Sequence, residues 1–275
     1  MDGDPGTRLE GSLMISVISA VIAVLGATMT AVLGYKLQSQ VRVRERIDYM
    51  GRYRDALLWA AFDLQSRLYN ILHGYEVDRR PGRRGFLRSF LVEGTQQQAE
   101  YVRTSTAFLF AEYLGWVEIF RDDLRFLDLG NRRKNRRVMS LLARIGSTLN
   151  AAHTSEVEGF RIFRVHQRAI GELMIEAESE PGQRRCIGYA AFCAKLASEE
   201  RFSTWMQELL DHVDLAAEEP DAVHERLTTL QHQLIDLIDF LDPRRQRFPA
   251  EQRSRFAAQP DSSQTSASAP QTQEA

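Results

Sequence analysis

The chain has 275 residues, 44% of them hydrophobic, with two cysteines and 35 Lys+Arg against 37 Asp+Glu. That composition excludes a wholly disordered chain, a collagen-like or low-complexity repeat and a disulfide scaffold, and it fits one or two folded domains. The net charge of -2 conceals an uneven distribution: residues 36–138 carry 20 basic and 13 acidic side chains, whereas residues 139–242 carry nine basic and 18 acidic.

From Gly11 to Tyr35 there is no charged residue, and the strongly apolar part, Leu13–Leu33, is 21 residues long. At about 1.5 Å per residue this matches a hydrocarbon core of roughly 30 Å. Asp2, Asp4 and Glu10 surround a lone Arg8, unlike the basic start of a cleaved signal peptide. The expectation is an uncleaved, single-pass transmembrane helix over residues 12–35, preceded by a short extracytoplasmic tail at 1–11. Tyr35, Lys36, Arg42, Arg44 and Arg46 follow it, so the positive-inside rule puts the N-terminus outside the plasma membrane and the rest of the chain in the cytoplasm. Within the span Ser16, Ala20, Ala23, Ala27, Ala31 and Gly34 recur every three or four residues. Such a face of small residues lets two helix backbones approach closely, the expected route to a homodimer.

Beyond residue 35 there is no sustained period-two alternation and no Asn-Gly or Asp-Gly hairpin turn, so the fold class expected is all-α. Residues 36–242 are expected to form a cytoplasmic bundle of about six helices. In the first, Leu57, Ala61, Leu64, Leu68, Ile71 and Leu72 share a side and His73-Gly74 supplies the stop. Asp78 to Gly85 reads as a loop around Pro81-Gly82, and Phe86 to Val92 as a short apolar segment of open type. Thr95 and Gln98 form a capping box that opens a helix carrying Phe108, Leu109, Trp116, Phe120, Leu124 and Leu127, which Gly130-Asn131 ends. That helix is expected at the centre of the domain. Another follows from about Arg133 to Asn150. Ser155 and Glu158 form a second capping box, expected to start a helix with Phe160, Phe163, Ile170, Leu173 and Met174 on its apolar side and Pro181-Gly182 after it. Helices are expected over roughly 185–197 and 203–217. Last, Val223, Leu227, Leu230, Leu234, Leu237 and Leu241 repeat at spacings of four and three, the seam of a bundle helix closed by Asp242-Pro243. Residues 243–275, rich in Arg, Gln, Ser, Ala and Pro, read as a disordered tail.

The basic excess gathers in two expected loops: Arg79, Arg80, Arg83 and Arg84 with Arg88, and Arg132, Arg133, Lys134, Arg136 and Arg137. The cytoplasmic leaflet is anionic and attracts each such residue by about 1 kcal/mol, so lipid headgroups are the expected contact. The alternative is that the basic half packs against the acidic half, within one chain or between two. Nucleic acid is disfavoured, because no aromatic stripe separates the cations and no reader motif occurs.

Motifs for chemistry are sparse. The six histidines, at 73, 153, 166, 212, 224 and 232, form no His-Glu-x-x-His. Asp221-x-x-His224 and Glu208-x-x-x-His212 fall short of the di-iron bundle pattern, so no metal is expected. Cys186 and Cys193 are seven apart on an expected helix, too far for a disulfide, and no phosphate-cradling loop, cofactor motif or nucleophile elbow occurs. Arg161, Arg164 and Arg168 fall at helical spacing, a face able to grip a carboxylate or phosphate. The pattern as a whole points to a membrane-anchored, non-enzymatic interaction or regulatory module whose partners are the bilayer and a protein of unspecified identity. The alternative is an enzyme or small-anion sensor with those three arginines lining a pocket between helices.

Overall fold

The computed structural model describes residues 26, 28–38, 51–74, 85–123, 132–152, 159–177 and 183–257. It divides into two units, Met1–Gly51 and Arg52–Ala275.

In the first unit residues 28–38 are helical and exposed, including the large apolar side chains of Met29, Val32, Leu33, Tyr35 and Leu37. Among the described residues no helix is long and apolar enough to cross a membrane. Residues 13–25 and Ala27, which make up most of the expected span, lie outside the described residues. So do Ser16, Ala20 and Ala23 of the expected dimer face, whereas Ala31 and Gly34 lie on the exposed helix.

The second unit is helical as expected, with more pieces than the sequence reading anticipated. Its helices are α1 (residues 51–74), α2 (Gln96–Asp123), α3 (Arg132–Asn150), α4 (Arg164–Leu173), α5 (Tyr189–Ser198), α6 (Glu200–Glu218) and α7 (Pro220–Leu241). A π-helical turn, Arg88–Val92, and a 3-10 turn, Ala250–Arg253, accompany them.

The capping box that opens α2 has the expected geometry: the Thr95 amide donates to Gln98 Oε1 at 2.9 Å, and the Gln98 amide donates to Thr95 Oγ1 at 3.3 Å. Beyond it Val102, Ala107, Phe108, Phe110, Ala111, Tyr113, Leu114, Ile119 and Phe120 are all buried, so α2 is enclosed on several sides, against α4, α5, α6 and the π turn. Two glycines permit the close approach of α2 and α4. A Cβ on Gly171 would stand 2.7 Å from the Leu114 carbonyl oxygen, and one on Gly115 would stand 2.9 Å from Cβ of Met174, which caps the end of α4. The expected apolar side of α1 is buried at all six positions, as is the whole α7 seam from Val223 to Leu241, which packs on α3 and α6. Each such leucine, isoleucine or valine contributes about 1.5–3 kcal/mol relative to exposure.

Three expectations are corrected here. The helix expected to run from the second capping box through Phe160 and Phe163 is interrupted. Ser155 and Glu158 lie outside the described residues, the chain from Gly159 to Phe163 is not helical, and α4 begins only at Arg164. The α4 cap comes from another element: the Arg164 amide donates to Asn150 Oδ1 at 3.0 Å, from the end of α3. Phe160 takes φ 56°, a conformation that costs a non-glycine residue about 1–2 kcal/mol. Full burial of its ring, stacked on Phe110 with centroids 4.7 Å apart, offsets that.

The helix expected from residue 185 begins at Tyr189 instead. Residues 174–176 and 185–187 form an isolated antiparallel bridge, with Glu176 N to Arg185 O at 3.0 Å and Ile187 N to Met174 O at 2.8 Å. Cys186 therefore sits on the bridge and Cys193 on α5, both free.

The third correction is at the C-terminus, where residues 243–257 are ordered rather than part of a disordered tail. They form a strap against α1 and α7, in which Phe248 stacks on Phe62 at 3.7 Å and meets Trp59 edge-on at 4.6 Å. Gln231 of α7 links the layers, donating to Gln65 Oε1 (3.1 Å) and Ser254 O (2.9 Å) and accepting from the Phe256 amide (3.1 Å). Arg253 is buried against Asp242, whose carboxylate also accepts the amides of Gln246, Arg247 and Phe248 at 2.9–3.3 Å. The remaining tail, 258–275, lies outside the described residues.

Candidate functional site

An open groove of about 860 Å³ lies between the first half of α2, α5, α6 and the π turn. The Thr95 cap sets the phase of α2, so that Glu100, Arg103 and Thr104 border the groove with Gln96 and Gln97 at its end. From α5 come Tyr189, Cys193, Leu196 and Ala197, at spacings of four, three and one. On α6, Ser203, Gln207, Leu210, Asp214, Ala217 and Glu218 form the opposite wall. Leu91 and Val92 of the π turn complete the floor, and Val92 is 58% exposed. π turns inside helical proteins frequently mark functional positions.

Hydrogen bonds hold the walls in place. The Thr104 hydroxyl donates to the Glu100 carbonyl at 2.7 Å, which leaves its oxygen to accept from the Tyr189 hydroxyl at 2.8 Å. Burial raises the pKa of that phenol, so Tyr189 remains a donor at neutral pH. The Tyr101 and Tyr189 rings meet edge to face, 6.3 Å apart at 87°, and Tyr101 is 57% exposed. Arg103 Nε reaches both Asp214 oxygens at 2.9 and 2.8 Å, with Asp211 3.8 Å from its guanidinium. Gln207 in turn donates to Asp211 at 2.6 Å. The one arginine lining the groove is thus neutralised, while Glu100 and Glu218 have no cationic partner among the described residues. The resulting surface is apolar at the floor, aromatic on one side and anionic at the rim.

The side chains singled out from sequence fall elsewhere. Arg79, Arg80, Arg83 and Arg84 lie outside the described residues, and Arg88 is exposed on the π turn. The second basic cluster lies on the first turns of α3, the helix expected from about Arg133, rather than in a loop before it; Val138, Leu141, Leu142 and Ile145 bury one face of that helix at helical spacing. Arg133, Lys134, Arg136 and Arg137 stand exposed on its first turns, while the Arg132 side chain is not among those described.

Arg161, Arg164 and Arg168 do not share a helix face. Arg161 precedes α4 and lies over the Phe163 ring at 4.8 Å. Arg164 reaches Ser147 at 3.4 Å. Arg168 is 3.8 Å from Glu172 and from Glu118, so its charge is committed to carboxylates. Glu118 is buried, which raises its pKa, and Arg121 and Arg168 pull it back. On the neighbouring stretch of α2, burial and the nearby Asp63 push Glu112 up to about 7. Among the described residues no three His, Cys, Asp or Glu side chains converge to hold a metal ion.

Sequence reasoning missed both the groove and the strap. One signal for the groove was present: α5 reads Tyr-Ala-Ala-Phe-Cys-Ala, apolar all round, yet of these only Phe192 is buried. Compared with protein-family models, with curated proteins and with solved structures, the chain has no significant match.

Proposed function

We propose that this chain is a single-pass, membrane-tethered helical module that acts by binding rather than catalysis, displayed on the cytoplasmic side of the plasma membrane. The observation that carries the reading is the charge-free stretch of residues 11–35, whose apolar part has the length of a bilayer span. The exposed apolar side chains of Met29, Val32 and Leu33 support it, because such groups favour lipid over water. Ala31 and Gly34, on the same exposed helix, belong to the face on which a homodimer would form.

In this reading the cationic start of α3 faces anionic headgroups. Arg133, Lys134, Arg136 and Arg137 are exposed, and cations there oppose the helix dipole, which an anion relieves. The groove on α2, α5 and α6 has the opposite sign and is left for a protein partner. Tethering raises the effective concentration of such a partner without any new contact.

The test is extraction of native membranes with alkaline carbonate. An anchored chain stays in the pellet; release into the supernatant overturns the tether. Protease added outside intact cells should leave the C-terminal bulk intact, and its digestion would reverse the orientation.

A further inference from the structure

The α2–α5–α6 groove is anionic at its rim and apolar at its floor, and neither feature suits a lipid headgroup surface. We infer that it is the docking site for a cationic, amphipathic segment of a protein partner, one that alternates Lys or Arg with large aliphatic residues. This deepens the reading of the chain as an interaction module and rests on it.

Three observations combine. First, the charge is complementary to a cation: Glu100 and Glu218 are exposed without an ionic partner among the described residues, and Arg103, the one lining cation, is already held by Asp214 and Asp211. Carboxylates at a solvent-exposed rim raise the association rate of cations and reject anions. Second, the Tyr101 and Tyr189 rings stand edge to face beside Glu100, and Tyr101 is more than half exposed. Such a ring face beside a carboxylate receives a guanidinium or ammonium group by cation–π attraction. Third, the floor is apolar but uncovered: Val92 is exposed on the π turn, and Leu91, Leu196 and Leu210 line the groove around it. An open trough of this kind accommodates the side chains of a helix or extended strand laid along it, whereas small-molecule sites enclose most of their ligand. Gln96, Gln97 and Gln207 add amide donors and acceptors along the walls.

The occupant is not the cationic start of α3 in a second copy of this chain. The exposed cations of α3 lie on the first turns of a helix whose aliphatic side chains Val138, Leu141, Leu142 and Ile145 are already buried in its own core. It therefore offers charge without the apolar anchors that the floor requires.

The test uses the full-length protein in nanodiscs of phosphatidylcholine, which carries no net charge. A fluorescein-labelled peptide alternating lysine and leucine is titrated and followed by anisotropy, with empty nanodiscs as the blank. Saturable binding, weakened by salt, is expected. A peptide with glutamate for lysine should not bind, and one with serine for leucine should bind at least about fivefold more weakly. The double variant E100Q/E218Q should lose about tenfold or more in affinity, and E100K/E218K should lose binding altogether. Both positions are exposed, and unchanged far-UV circular dichroism would show that the fold is intact.

Equal affinity of the wild type and the E100K/E218K variant overturns the assignment, as does no binding at about 1 mM peptide. Tighter binding of a peptide copied from residues 132–143 than of the lysine–leucine peptide would make the occupant a second copy and overturn it equally. Failure of the tether is read separately. A chain that washes off membranes but binds the peptide keeps the groove, and a carbonate-resistant chain that ignores the peptide keeps only the anchor.

Discussion

Replacing Asp242 by asparagine keeps the shape of the side chain and removes its charge, which makes it a direct test of the C-terminal strap. The wild-type carboxylate is buried, pairs with Arg253, and accepts backbone amides from Gln246, Arg247 and Phe248. Breaking a buried pair from one side costs about 3–5 kcal/mol. Here the substituted amide would retain one acceptor oxygen for those backbone donors, and Arg253 would keep Asp239 at 3.1 Å and the residue 242 carbonyl at 3.1 Å. The expected loss is therefore about 2–4 kcal/mol, a fall in Tm of roughly 5–15 °C for a unit of this size. Asp239→Asn is the control: its side chain is 45% exposed, so the loss should stay below about 1 kcal/mol. Thermal and urea unfolding of the full-length chain in micelles, followed at 222 nm, provides the comparison. Trp59 fluorescence, sensitive to Phe248 4.6 Å away, should report local release of the strap. Burial alone would raise the Asp242 pKa, but the three amides and Arg253 lower it overall. Such a group contributes stability in full above its unfolded pKa of about 3.9, and that contribution is lost as the pH falls through the folded value. The gap between wild type and D242N should thus be constant from about pH 5 to 8 and close below about pH 4. A gap under about 1 kcal/mol at neutral pH, or one that widens in acid, would refute the reasoning.

Two further predictions concern buried charge in the helices. Burial and Asp63 raise Glu112 to about 7, so the folded state holds its proton where the unfolded chain has released it. Stability should therefore decline as the pH rises from about 4.3 to 7 and level off above, and Glu112→Gln should remove the decline, stabilising the protein at pH 8 by on the order of 2 kcal/mol. A variant with the wild-type pH profile would show that Glu112 is solvated. Arg226, 3% exposed, donates to the carbonyls of Thr148 (2.6 Å) and Ala151 (2.9 Å), closing the C-terminal end of α3. Arg226→Met leaves those acceptors unpaired and should cost about 2–4 kcal/mol, with hydrogen exchange accelerated first in the last turn of α3. Uniform protection along α3 in the variant would contradict the capping role.

Much of the helical framework was legible because it rests on local signals. The Thr95–Gln98 box and the seams of α1 and α7 depend on residues within a few turns of one another, and all are found as expected. The errors occur where a distant residue decides the outcome. Ser155 and Glu158 have the spacing of a capping box, yet α4 takes its cap from Asn150, and Gln167 ties it to the Gly146 carbonyl at 2.9 Å. The arginines at 161, 164 and 168 have helical spacing, but the left-handed turn at Phe160 and the late start of α4 put Arg161 outside the helix.

What the sequence determined by itself is the periodic burial of apolar residues, hence an all-α unit, and the sorting of charge into a basic and an acidic half. Both follow from composition at fixed spacing, and neither needs a distant contact. Only the tertiary structure decided the rest. Phe248 and Phe256, eight residues apart in a polar segment, become buried because Phe62, Trp59, Tyr69 and His224 lie ready to cover them. Glu100, Tyr189 and Glu218 become one groove because α2, α5 and α6 come together around it. Burial and proximity are properties of packed surfaces, and a one-dimensional pattern specifies a face without specifying what it will meet.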